Sequence, residues 1–144
     1  MYKQYIVIRK DLPMSAGKLV SQGAHASECF LTNMIAKNIV LTENGYICNM
    51  TIDKNLWEQW MNPKASFTKV TLGIKNRNQL EKLLMQANEM GLMEGKDYFC
   101  IHDEARTELK DFIEDDGRVL TAVGFLPREE SELKQLLGKL QLYK

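Results

Sequence analysis

Two groups of polar side chains in this sequence have the residue types that hydrolysis of an ester or amide needs. The first group is Lys18, Gln22 and His25, and the second is Asp103 and Thr107. A carboxylate or an imidazole can activate water, and a nearby cation can stabilise the oxyanion that forms on the attacked carbonyl. Amide and hydroxyl groups can position the water and the carbonyl by hydrogen bonds. Because no nucleophile elbow and no Ser-His-Asp order is recognisable, we favour direct attack of water over an acyl-enzyme.

The first group lies on one predicted helix, which follows a short apolar strand at 5–8. Ser15 is a suitable N-cap for a helix that runs from about 16 to 37. Counted at about 100° per residue, the three polar side chains occupy an arc of roughly 60°, opposite the apolar residues. Open α/β sheets place their sites at such strand-to-helix connections. The alternative is a solvated polar face that happens to contain a histidine.

The second group comes directly after a predicted strand at 97–102. Taken singly, its members have structural alternatives, since Asp103 can cap a turn and Arg106 can pair with Glu104 or Glu108. This second group and the helix at about 16–37 each follow the end of a predicted strand. If the two strand ends meet in the fold, the two polar groups form one site.

The remaining pattern predicts an α/β domain with a mixed sheet. Further strands are predicted at 66–75 and 120–125, with helices at 79–90 and from Pro127 onward, and the tail at 140–142 alternates like an edge strand. Helices that alternate with a few strands are typical of two-layer or three-layer α/β domains.

The segment 38–65 stands apart from this alternation. Asn44-Gly45 predicts a small hairpin, and Asp53 is a suitable cap for a short helix. Trp57 and Trp60, three residues apart, are predicted to share a helix face, which we interpret as core or dimer packing rather than a platform for stacking bases.

Composition limits the class of protein. The chain has 144 residues, with 19 Lys and Arg against 19 Asp and Glu, and it contains three widely spaced cysteines. The cysteines suit reduced thiols and give no metal-ligand pattern, so we expect no metal and no cofactor. No run of membrane-spanning or signal-peptide length is present, so we expect a cytoplasmic protein without a membrane partner. Zero net charge argues against a strongly electrostatic nucleic-acid binder but leaves room for a local basic patch.

Three motifs in this sequence resemble those of the type-2 peptidyl-tRNA hydrolases, the archaeal and eukaryotic kind. The first comprises Arg9-Lys-Asp-Leu, the entry Met14-Ser-x-Gly17-Lys18 and Gln22-x-Ala24-His25-Ala26. The second is Asp103 to Thr107, which is similar to the family's Asp-Ala-Gly-Arg-Thr. The third is Leu120-Thr-Ala-Val-Gly124 with the ending Gly138-Lys-Leu-Gln-Leu142.

The resemblance implies a single domain over 1–144, with a four-stranded mixed sheet flanked by α-helices and an insertion at about 38–65. It implies a homodimer that hydrolyses the ester between a peptidyl group and the terminal ribose of tRNA, with peptidyl-tRNA as its partner. The catalytic residues that it implies are His25, Asp103, Lys18, Gln22 and Thr107. The residues that it implies for contact with tRNA phosphates are Arg106, Lys10 and Arg9.

Two positions depart from the family pattern. Ala105 stands where the family has a glycine, and we expect it to adopt an ordinary backbone conformation. Arg118 and Val119 stand where the family usually has a threonine, so we expect a polar contact to be lost. Two alternatives remain. The first is a catalytically weakened relative that acts as a binding or regulatory module, which zero net charge, Ala105, the acidic run Glu114-Asp115-Asp116 and the insertion support. The second is a hydrolase of a smaller ester or amide.

Overall fold

A mixed β-sheet forms the core of the protein, as described by a computed structural model that covers residues 1–144. In chain order the strands and helices are β1 (Tyr2–Arg9), α1 (Ala16–Ala36), β2 (Ile39–Thr42), β3 (Gly45–Cys48), α2 (Lys54–Leu56), β4 (Lys69–Ile74), α3 (Arg77–Glu89), β5 (Tyr98–Asp103), β6 (Val119–Phe125), β7 (Arg128–Glu129), α4 (Lys134–Leu137) and β8 (Gln141–Leu142). The predicted α/β class with a mixed sheet and flanking helices is confirmed.

The strand order of the sheet is β5-β6-β1-β4-β8, and β7 pairs with the start of β1. The sheet therefore has six strands, and the predicted number of four is wrong. The four long strands are those that the sequence predicts, whereas β7 and β8 have two residues each. Strands this short show no readable periodicity, although the edge position predicted for 140–142 is confirmed by the pairing of β8 with β4.

The two faces of β1 pack against different helices. Ile6 and Ile8 lie in a cluster with Ala26 of α1, while Val7 lies in the larger cluster with α3 and α4. This alternation is expected for a strand that is buried on both faces. α1 therefore covers one face of the sheet.

Gly124 allows α1 to approach β6 unusually closely. A Cβ atom at this position would lie 1.9 Å from the carbonyl oxygen of Ala26, so only glycine fits without a shift of the helix. The glycine thereby fixes the distance between the sheet and the helix that carries the first polar group.

The segment 38–65 forms the predicted hairpin, β2 with β3, outside the main sheet. Its two tryptophans do not share a face: Trp60 is buried, while Trp57 is 43% exposed. The helical turn Trp57–Met61 is a π-helix, closed by a bond from the Asn62 N–H to the Trp57 carbonyl at 2.8 Å. Its wider turn rotates the second side chain away from the position expected for an α-helix. The insertion at 38–65 relative to the family stays a prediction.

The helix predicted from Pro127 begins later than expected. Residues Arg128–Glu129 extend alongside β1 instead, and Arg128 pairs with Asp97 at 2.6 Å. A 3-10 turn then leads to α4, which starts at Lys134. No helix of the protein combines the length and the apolar character needed to cross a bilayer.

Candidate active site

The start of α1 and the end of β5 meet at one edge of the sheet. β1 runs parallel to β4, and both β1 and β5 run antiparallel to β6, so β1, β4 and β5 all end at this edge. α1 follows β1, with the Ser15 hydroxyl accepting from the Lys18 N–H as the predicted N-cap. Asp103 is the last residue of β5. The ammonium of Lys18 forms an ion pair with the Asp103 carboxylate across the gap.

Both oxygens of the Asp103 carboxylate have donors. Oδ2 accepts from Lys18 and, at 3.4 Å, from the Gln22 amide, while Oδ1 accepts from the Ala105 N–H at 2.7 Å. Burial raises the pKa of the Asp103 carboxyl, but the bonds from Lys18 and Ala105 and the charges of Lys18 and His25 outweigh that effect. The pKa therefore lies below its ordinary value, and the group is a stable carboxylate at neutral pH.

The Gln22 amide is held from its other side by Thr121. Gln22 is 3% exposed and Thr121 is fully buried, and the Thr121 hydroxyl donates to the Gln22 side-chain oxygen. Thr121 is the extra residue in a β-bulge, because Ile101 pairs with Ala122 while His102 pairs with Leu120. Such a bulge redirects a side chain, and here it turns the hydroxyl towards α1.

Thr121 was not predicted as a site residue. Arg118 and Val119 occupy the position where the family usually has a threonine, and the loss of that contact stays a prediction. A threonine two residues after Val119 on β6 supplies a hydroxyl to Gln22. The only available signal was a threonine within an otherwise apolar strand.

Ala105 adopts the conformation that a glycine would favour. Its φ is +58°, so the expectation of an ordinary backbone conformation is wrong. A non-glycine residue in this region costs about 1 kcal/mol or somewhat more. The bond from its N–H to Asp103 and the burial of its methyl group beside Leu12, Leu109 and Val119 offset this cost. Loss of the glycine therefore leaves the tight turn after Asp103 intact.

An open cleft of about 430 Å³ lies where the two segments meet. All of its lining side chains are polar, and they include the five predicted catalytic residues and one predicted tRNA contact: Lys18, Gln22, His25, Asp103, Thr107 and Arg106. His102 and Glu104 complete the lining, and neither was predicted as a site residue. His25, Arg106 and Thr107 are exposed, so a substrate has access to them.

The family model described as "Peptidyl-tRNA hydrolase PTH2" matches residues 2–143 of this chain. The chain belongs to the PTH2 family. Two similar relatives are each named "Peptidyl-tRNA hydrolase". The protein of Methanopyrus kandleri is 31% identical, over 99% of this chain and 98% of the relative. The protein of Methanococcus maripaludis strain C6 is 28% identical, over 99% of each chain. A solved structure of a protein of unknown function from Agrobacterium resembles this fold with a TM-score of 0.47 and 11% identity, over 99% of this chain and 98% of that one.

The structure does not bring the other two predicted tRNA contacts of this PTH2 chain into the cleft. Arg9 is 5% exposed and pairs with Asp11 at 2.8 Å and with Glu114 at 2.9 Å. Because its guanidinium is occupied and buried, it is a structural residue and is not available to a phosphate. Lys10 is exposed, but its side chain passes beside Gly73 of β4 and is not among the residues that line the cleft.

The acidic run 114–116 has internal partners. Glu114 accepts from Arg9, from Arg77 at 2.8 Å and from the Leu120 N–H at 2.8 Å. Burial raises the pKa of the Glu114 carboxyl, and these donors outweigh the effect, so the pKa is lowered. The run, which supports a binding module on sequence grounds, anchors the loop after Asp103 to β1 through Glu114.

Proposed function

We propose that this PTH2 chain hydrolyses the ester that joins a peptidyl group to the terminal ribose of tRNA. The observation that carries the proposal is the ion pair between Lys18 and Asp103 in an open, entirely polar cleft. This contact joins the two groups that the chemistry requires, a fixed anion and a cation, at a place that substrate can reach. The full-length family match favours this activity over the binding module and over a smaller ester or amide as substrate.

In the proposed reaction, water attacks the ester carbonyl and the ammonium of Lys18 stabilises the oxyanion. Asp103 holds that ammonium in place and orients the water. Its lowered pKa makes its carboxylate a weak base, so we assign proton acceptance to the imidazole of His25, which is exposed in the same cleft. Gln22 fixes the carboxylate of Asp103, and the Thr107 hydroxyl positions the carbonyl. When the tetrahedral intermediate collapses, the bond between the carbonyl carbon and the ribose oxygen breaks, and the proton taken up by His25 passes to that oxygen.

The remaining parts of the proposal concern the ligand and the assembly. Arg106 lines the cleft and would contact a phosphate next to the terminal ribose. No serine or cysteine lines the cleft, which supports direct attack of water. We also propose that the protein is cytoplasmic and that it is a homodimer. The dimer is supported by exposed apolar side chains of the hairpin in the predicted insertion, namely Val40, Leu41, Tyr46 and Ile47. Sedimentation equilibrium of wild type and of Leu41→Ser tests the dimer.

The activity is tested by the release of tRNA from N-acetyl-aminoacyl-tRNA. Wild type is expected to turn over, and Asp103→Asn is expected to lose most of kcat. Asp115→Asn is the matched control, because Asp115 is an exposed carboxylate without an ion pair in the same loop. Absence of turnover in wild type, or equal activity of the Asp103 and Asp115 variants, would contradict the proposal.

A further inference from the structure

A second groove differs from the other main cavities of the protein in its charge. It has a volume of about 420 Å³ and lies between α3, the end of β4 and the turn after α4. Its lining includes Lys75, Lys82 and Lys139 and no carboxylate. Each of the other four main cavities has a carboxylate among its lining residues.

The three lysines are free to bind an external anion. All three are exposed, and none of them forms an ion pair within the protein. The side-chain amides of Gln79 and Gln86, also exposed, add uncharged donors to the same lining. In a chain with no net charge, three unpaired cations around one groove form a local basic patch.

One residue of the groove, Lys75, lies at the same end of the sheet as the catalytic cleft. Lys75 directly follows the last residue of β4, and Asp103 is the last residue of β5, so both lie at the carboxyl ends of strands that run in the same direction. Three strand spacings separate β4 from β5, which corresponds to about 14 Å along the edge. The groove itself lies on the face of the sheet that packs against α3, whereas the cleft lies on the α1 face.

We propose that this lysine groove binds the phosphate backbone of the tRNA while its acylated end occupies the cleft. The inference rests on the proposed function, and it adds a binding site that does no chemistry. Lysine ammonium groups bind backbone phosphates as point charges without reading sequence, which suits a hydrolase that must accept many tRNAs. The groove also explains how a chain of zero net charge retains a polyanionic substrate, since the binding cations are concentrated in one place.

The test compares two triple variants. The groove variant carries Lys75→Gln, Lys82→Gln and Lys139→Gln. The control variant carries Lys54→Gln, Lys64→Gln and Lys96→Gln. The three lysines removed in the control are also exposed and also lack ion pairs. Each is assayed with N-acetyl-aminoacyl-tRNA and with the same acyl ester on the terminal nucleoside alone. For the groove variant, KM for the tRNA substrate is expected to rise about tenfold or more at 0.1 M salt, with kcat unchanged.

The salt dependence and the small ester sharpen the outcome. Affinity falls with salt, and each lost phosphate contact makes the slope of log affinity against log salt less steep by about 0.9. The slope of the groove variant should therefore be less steep than that of wild type by between about 2 and 3. Hydrolysis of the nucleoside ester should not change. Unchanged KM and slope, an equal effect in the control variant, or an equal loss on the nucleoside ester would each overturn the proposal.

Direct binding separates this proposal from the proposed function. If wild type hydrolyses neither substrate, the proposed function fails, while the fluorescence anisotropy of deacylated tRNA still decides the role of the groove. Weaker tRNA binding by the groove variant than by the control supports the proposal, and equal binding overturns it. Binding to vesicles of phosphatidylserine and phosphatidylcholine is the last comparison. If wild type binds these vesicles, the groove variant does not, and tRNA fails to compete with the vesicles, the groove binds a membrane surface and the proposal is overturned.

Discussion

Replacement of Thr121 by valine should weaken both the stability and the activity of the protein. The Thr121 hydroxyl donates to the side-chain oxygen of Gln22, and that oxygen has no other protein donor. Gln22 as a whole is 3% exposed. Loss of the hydroxyl leaves a buried acceptor unsatisfied, which costs about 1–3 kcal/mol of the free energy of unfolding. The Gln22 amide is then free to rotate away from Asp103, which its Nε2 atom contacts at 3.4 Å. We expect kcat to fall about tenfold, which corresponds to about 1.4 kcal/mol of the activation barrier.

Thr121→Ser separates the hydroxyl from the methyl group. Serine keeps the donor and loses one buried methyl, so it should lower the free energy of unfolding by about 1 kcal/mol and leave kcat near the wild-type value. Urea unfolding measures the stabilities, and initial rates of tRNA release measure kcat and KM. Full kcat in the valine variant, or an equal fall in the serine variant, would refute the role given to the hydroxyl.

Further predictions concern α1, the turn after Asp103, stability in acid and His25. Gly124→Ala places a Cβ 1.9 Å from the Ala26 carbonyl oxygen, so it should displace α1, lower the free energy of unfolding by about 3 kcal/mol and reduce kcat. A melting temperature of the variant equal to that of wild type would contradict this. Ala105→Gly relieves about 1 kcal/mol of backbone strain and loses a buried methyl worth about 0.8 kcal/mol. The free energy of unfolding in urea and kcat should therefore change little. A large loss of stability or of kcat would show that the site does not depend on the left-handed turn alone. Because the pKa of Asp103 is lowered, its stabilising pair with Lys18 is present above the ordinary carboxyl pKa and is lost as pH falls through the lowered value. In acid, the free energy of unfolding of wild type should therefore fall more than that of Asp103→Asn, and equal acid sensitivity of the two proteins would contradict this. His25→Gln should lose most of kcat at neutral pH, and wild-type kcat in this variant would contradict our choice of base.

The sequence was sufficient to predict the elements that bring the site together. The apolar spacing of α1 and its Ser15 cap fixed the helix that carries Lys18, and the strand before Asp103 was readable from its apolar residues. Both segments lie at the carboxyl ends of parallel strands, which is where open α/β sheets place sites. The meeting of the two groups was therefore predictable from the pattern and the family resemblance together.

The parts that could not be predicted depend on tertiary packing. Ala105 has a local preference against positive φ, and only the burial of its methyl group and the bond to Asp103 overcome it. The orientation of Thr121 depends on a bulge between β5 and β6, for which the sequence carries no local signal. The burial of Arg9 depends on Glu114, which is 105 residues away along the chain.

The most direct test of the hydrolytic centre is a double-mutant cycle on Lys18 and Asp103, with tRNA release as the readout. If the two side chains act as one unit, Lys18→Gln and Asp103→Asn should each cost most of kcat, and the double variant should be little worse than either single variant. The pair would then be coupled by well over 1 kcal/mol. Retention of wild-type kcat by either single variant, or strictly additive losses in the double variant, would contradict the central role given to this ion pair.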